Sequence, residues 1–226
     1  MAVGLSGQNQ GSAGTTVVVT LTGTVTAGSI LVAGHVRDSA SAFTSITYSA
    51  GGSWTQINTE LVDATAANAS RLYYLENATS AVNPTVTLTK GSGAFATLLV
   101  VELTNSPSSS TLDQNNRVLD TASPFDSPSV STAFANETLV GFSAADDTGT
   151  NSYVAGNSFT IQQQFSNGAV NWTCALATRV VASTGSYNTT FTRTGAARVH
   201  SWIATFRENS TAAASGPNPR TIWVMP

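Results

Sequence analysis

The residues with the widest chemical range are few, and they are scattered. There are two histidines, His35 in GHVRD and His200 in RVHSW, and one cysteine, Cys174 in NWTCALATRVV. If the segment around His35 is a strand, His35 and Arg37 share a face while Asp38 points away or begins the turn, so no local triad forms. Cys174 has no second cysteine with which to form a disulfide or a thiolate metal cluster. Its strand-like setting reads as a small buried apolar side chain rather than an activated thiolate, which would need a cationic neighbour. Asp146 and Asp147 open DDTGTN, where acids and a glycine suggest a calcium loop. The EF-hand spacing is absent and a tight turn accounts for the same residues. Glycoside cleavage would require two carboxylates facing each other across a groove, yet Glu60, Glu76 and Glu102 lie on different predicted strands. Glu102 is the most conspicuous, because it interrupts the apolar run LLVVELTN. The chain has no G-x-S-x-G, no phosphate-binding glycine loop and no His-rich metal signature. The expectation is a protein that is not an enzyme and uses no cofactor or metal.

Exposed aromatic rings are the other route to function, since sugar-binding sandwiches stack pyranose rings on Trp and Tyr. Adjacent Tyr73 and Tyr74 must face opposite sides of a strand, so one of them is expected outside as a possible glycan contact. Trp54 and Phe159 fall at matching places in the two halves of the sequence, which points to core packing.

The elements that must position these residues are strands. Runs such as TTVVVTLTG, SILVAGHV, FTSITYS, RLYYLEN, PTVTLTK and FATLLVVEL alternate with period two or are continuously apolar, and β-branched residues fill them. Glycine, asparagine and proline separate them and supply turns. No extended apolar stripe has helical spacing, so the chain reads as all-β, of β-sandwich or jelly-roll type.

The pattern also recurs. GSILVAG at 28–34 is echoed by NETLVGF at 136–142, and YSAGGSWTQ at 48–56 by YVAGNSFTI at 153–161. PTVTLTKGSGAFATLLVVELTN is followed in the same order by NTTFTRTGAARVHSWIATFREN. The offset of about a hundred residues is far longer than a solenoid period and predicts an internal duplication. The expected organisation is a first sandwich repeat over 1–105, a Ser/Asp/Pro-rich connector over 106–127, a second repeat over 128–210, and an extended arm over 211–226. Whether the two halves form one body or two domains is left open by the sequence.

Composition narrows the partners. Of 226 residues only 9% are charged, against about 25% in an ordinary domain, so solubility rests on Ser, Thr, Asn, Gln and Gly. A net charge of -3 with a single lysine, Lys90, argues against a nucleic-acid groove. No stretch approaches the roughly 20 apolar residues that span a bilayer as a helix, and MAVGLSGQNQGSAG lacks the features of a secretory signal. The arm ends in NPRTIWVMP. Gly216, Pro217 and Pro219 extend it, and Ile222, Trp223, Val224 and Met225 form a short, uncharged, β-prone anchor suited to a neighbouring sheet edge.

Ser/Thr-rich sandwich repeats nearly free of Lys and Cys, with no catalytic motif, resemble the virion structural proteins of tailed bacteriophages, in texture and repeat plan over about the first 210 residues. That resemblance implies a non-enzymatic, homo-oligomeric, particle-bound role, made in the host cytoplasm and located in the virion. Its partners would be capsid or other virion proteins. A capsid decoration or cement subunit leads. A glycan- or receptor-binding tail protein, or a carbohydrate-binding module, is the alternative.

Overall fold

The computed structural model describes residues 2–11, 14–38, 42–91, 95–107, 109–146, 152–166, 172–193, 195 and 198–209. Among them the only regular structure is β. The first half contains β1 (Ala2–Gly11), β2 (Thr16–Thr20), β3 (Ile30–Asp38), β4 (Phe43–Tyr48), β5 (Thr55–Asp63), β6 (Asn68–Leu75), β7 (Thr85–Lys90) and β8 (Ala96–Thr104). The second contains β9 (Leu112–Asp120), β10 (Phe125–Asp126), β11 (Val130–Ser131), β12 (Glu137–Asp146), β13 (Val154–Ala155), β14 (Thr160–Phe165), β15 (Trp172–Val181), β16 (Ser186–Tyr187), β17 (Thr190–Thr192) and β18 (Val199–Arg207).

Five antiparallel sheets result. A large sheet in the order β1-β8-β3-β6-β5 packs on a small one, β2-β7-β4. A second large sheet, β9-β18-β12-β15-β14, packs on two short ribbons, β10-β17-β13 and β11-β16. Read in this direction, the two large sheets use corresponding strands in the same order.

Burial explains the layering. In β2 and β7 the pattern alternates strictly, so Val17, Val19, Val86 and Leu88 face inward onto Leu31, Ala33, Leu98 and Val100 of the first large sheet. In the second half Leu139, Tyr153, Phe159, Phe191 and Ile203 fill the corresponding space. The strands β3, β8 and β18 are buried on both faces, because the two large sheets also pack on each other. Val32, Leu72, Leu99 and Val101 from the first meet Phe142, Leu176, Trp202 and Phe206 from the second in a shared core. The order of layers is therefore small, large, large, small. The two halves share one core, and that settles the question the sequence left open.

Residues 106–127, expected as a connector, contain a strand: Leu112–Asp120 forms β9, the outer strand of the second large sheet paired with β18. Edge position explains why such polar residues tolerate a strand, and Pro107, Pro124 and Pro128 lie outside it, where no ladder hydrogen bond is lost. Trp54 is only half-buried against the first core, whereas Phe159 is 6% exposed in the second. Both precede the corresponding strands β5 and β14. The arm over 211–226, with Ile222, Trp223, Val224 and Met225, lies outside the described residues.

Candidate functional site

The three carboxylates considered for hydrolysis are each engaged in holding backbone or cations. Glu102 is 1% exposed. Its carboxylate accepts the N–H of Leu5 (2.9 Å) and of Thr26 (2.6 Å), across a position where a side chain on Gly4 would collide with it. That clamps the bulge of β1 against β8. Glu76 accepts the N–H (2.6 Å) and the hydroxyl (2.7 Å) of Thr111, anchoring the approach to β9. Glu60 binds both Arg37 and Arg71. The structure does not bring these acids together across a groove.

The histidines lie on opposite faces of the first large sheet. His35 and Arg37 do share a face of β3, the one toward the small sheet. There the His35 ring stacks with Phe43 (5.5 Å between centroids) and Tyr73 (5.9 Å), and neither of its nitrogens has a hydrogen-bond partner. Burial, aided by the Arg37 and Arg71 cations, lowers its pKa to about 3, so the ring is neutral at ordinary pH. His200 lies between the large sheets. Ser70 Oγ is 2.6 Å from His200 Nδ1 and accepts the Trp202 indole N–H at 2.9 Å. With Trp202 donating to it, the Ser70 hydroxyl is free to donate to the imidazole. Burial lowers the His200 pKa to about 4; Asp63 opposes this, and Arg117 and Arg198 reinforce it. A serine, a histidine and a nearby aspartate invite a hydrolase reading. Ser70 and His200 are 0% and 1% exposed, and Asp63 is held by Arg198 (2.6 Å) and by the N–H groups of Thr65 and Ala66. The set braces the layers from within. Cys174 is fully buried in the shared core and burial pushes its thiol pKa up, which makes it inert.

Neither tyrosine is an open stacking platform, contrary to expectation. Tyr73 is 4% exposed, and its hydroxyl receives Arg71 Nη1 at 2.9 Å. Tyr74 is half-buried and meets the edge of Phe206 at 5.8 Å across the shared core. The large sheets have company on both faces, so opposite sides of β6 are both interior. Asp146 ends β12, Asp147 lies outside the described residues, and among those described no group of three His, Cys, Asp or Glu could hold a metal.

What reaches the surface is a ladder of hydroxyls and methyls. On the outer face of the first small sheet the register sets Thr16 beside Thr89 and Ser45, and Val18 beside Thr87 and Thr47, with Thr20 beside Thr85. The same alternation that turns valine and leucine inward turns these residues out. None is charged, and the neighbouring Lys90 points inward, where its Nζ donates to the Gly14 carbonyl at 2.7 Å. On the far side of the molecule the second small sheet presents Val154 beside Thr192 and Asp126 beside Thr190. The spacing Thr85-x-Thr87-x-Thr89 was the available sequence signal for the ladder. A groove of about 300 Å³ lined by Pro107, Phe134, Ala135, Arg207, Glu208 and Asn209 marks where the chain leaves β18, and Arg207 lies 4.6 Å over the Phe134 ring. Nothing in the sequence singled it out. No family model, curated protein or solved structure matches the chain.

Proposed function

We propose that the protein is a non-enzymatic virion structural protein, a capsid decoration or cement subunit that binds the shell and neighbouring copies. The observation that carries this reading is the layer order. Both small sheets lie outermost, so the body offers two oppositely directed outer faces, the first an uncharged Thr/Ser/Val ladder, while Glu102, the histidines and Cys174 serve internal packing. A surface without charge loses little on desolvation when laid against another protein, and a second outer face on the opposite side suits bridging. The terminal arm, with Ile222, Trp223, Val224 and Met225, is a second anchor for a neighbour in this proposal.

Mass spectrometry and negative-stain imaging of purified particles test it directly: the chain should be a stoichiometric particle component, and its absence would refute the proposal. Thr87→Lys places a charge at the centre of the ladder. It should leave the melting temperature unchanged and sharply reduce incorporation into particles; undiminished incorporation would remove the ladder from the binding surface.

A glycan-binding tail protein is the second reading, now resting on a different observation. Exposed Gln56 and partly exposed Arg71 stand beside Glu60 and the Tyr73 hydroxyl, a polar group able to meet sugar hydroxyls. Glycan-array binding abolished by Arg71→Ala would favour it over cement.

A further inference from the structure

We infer that the chain is a fused two-fold dimer of one sandwich unit, in which the inner face of each large sheet recognises its counterpart across an axis that passes between Gly34 and Phe142. The two units carry equivalent backbone features. Gly28, at φ 79°, enters β3 as Asn136, at φ 59°, enters β12, and Gly52 and Asn157, both at positive φ, occupy the matching turns before β5 and β14. The first strand of each unit carries a bulge at the same register, opposite Glu102 in one and Thr205 in the other. In both, the opposing side chain catches the bulged N–H: Leu5 to Glu102 Oε2 at 2.9 Å, and Gln114 to Thr205 Oγ1 at 3.1 Å.

Part of the packing between the large sheets is reciprocal: β1 packs on β14 and β9 on β5, and β3 packs on β15 and β12 on β6, while β8 also packs on β14 and β15 without an equally extensive counterpart from β18. At the rims Gln163 donates to Ser6 (2.8 Å) and Asn58 to Asn115 (3.1 Å), where Ser6 and Asn115 are equivalents facing Val101 and Ala204. Reciprocal contacts of this kind define an isologous interface, and on its axis a residue must meet its own equivalent. The repeats align Gly34 with Phe142, and these two do meet: a Cβ on Gly34 would lie 2.6 Å from Phe142 Cδ2. Two phenylalanines on an axis would compete for one space and two glycines would leave it empty, so one of each fills it. The same asymmetry keeps each unit paired with its partner rather than with a copy of itself.

The test is an exchange in the full chain. Phe142→Gly alone should lower the melting temperature strongly, and Gly34→Phe alone should clash. Because the site is nearly exchange-symmetric, Gly34→Phe combined with Phe142→Gly should recover at least half of the lowering caused by Phe142→Gly. If Phe142→Gly does not accumulate as folded protein, a folded double variant alone supports the inference. A double variant no better than Phe142→Gly, or one that does not fold, overturns it. Neither outcome depends on particle incorporation, so this inference and the proposed function can fail separately.

Discussion

Acid should weaken this fold through its interior histidines, well before the ordinary carboxylates titrate. His35 and His200 have pKa values of about 3 and about 4 in the folded protein, against 6.5 for an unperturbed imidazole. A group with a depressed folded pKa leaves stability intact above the unfolded value and removes it as pH falls toward the folded one, since only the unfolded chain then takes up the proton. Between pH 6.5 and 4.5 both rings are still neutral in the folded state, and at 1.36 kcal/mol per unit each removes about 3 kcal/mol. Glu137 acts in the opposite direction. It is buried on β12, and desolvation together with Asp113 raises its pKa to about 7. A raised carboxyl pKa makes the folded state the better proton acceptor below 7, so Glu137 stabilises as pH falls toward its unfolded value. Two rings outweigh one carboxyl, giving a net loss of a few kcal/mol, a large share of a typical folding free energy. Urea midpoints at pH 7, 5.5 and 4.5 measure it. Wild type should weaken across this series, Glu137→Gln should weaken more steeply, and His35→Phe, which keeps a ring in the stack with Phe43 and Tyr73, should be nearly flat. If His35→Phe keeps the wild-type slope, the burial argument is wrong.

Three further outcomes follow from particular contacts. Glu102→Gln leaves the Leu5 and Thr26 N–H groups with one acceptor oxygen instead of a carboxylate and should cost about 1–3 kcal/mol in chemical denaturation. Phe159→Ala should cost about 3–5 kcal/mol, the usual range for a buried aromatic, and Trp54→Ala distinctly less because its ring is half-buried. Deleting residues 217–226 should leave the melting temperature within a degree or two while abolishing oligomerisation or particle binding; a much earlier melt would instead place Trp223 in the chain's own core.

How much of this was legible in the sequence depends on what each pattern encodes. Alternation in PTVTLTK specifies a strand with one inner and one outer face, and it was sufficient to predict both the valine and leucine core and, in retrospect, the threonine ladder. The polar run LDQNNRVLD gave no such cue. β9 holds its place through backbone pairing with β18 at a sheet edge, and side-chain patterning is silent about a strand whose residues are all half-buried. The carboxylate roles were equally hidden. Glu102 is recognisable as an odd residue in an apolar run, but its partners are backbone N–H groups 97 and 76 positions away, which no local motif records.

The shared core was written in the sequence in a form easily read as ordinary strand. SILVAGHV and FATLLVVEL hold the uninterrupted apolar runs ILVA and LLVV, and VHSWIATF the shorter WIA, whereas an antiparallel strand with one wet face alternates. Such runs call for a second covering layer for each large sheet, and a single sandwich supplies only one. Two sheets with this demand in one chain satisfy each other by packing face to face, as they do here. The same logic explains why Tyr73 and Tyr74 failed as a pair of inward and outward rings: β6 belongs to a sheet with no outward face, so the step of one residue moves a side chain from one core to another rather than from core to water. Surface sites on this fold have to be sought on the small sheets and the rims, where alternation persists and the sequence says plainly which side chains reach solvent.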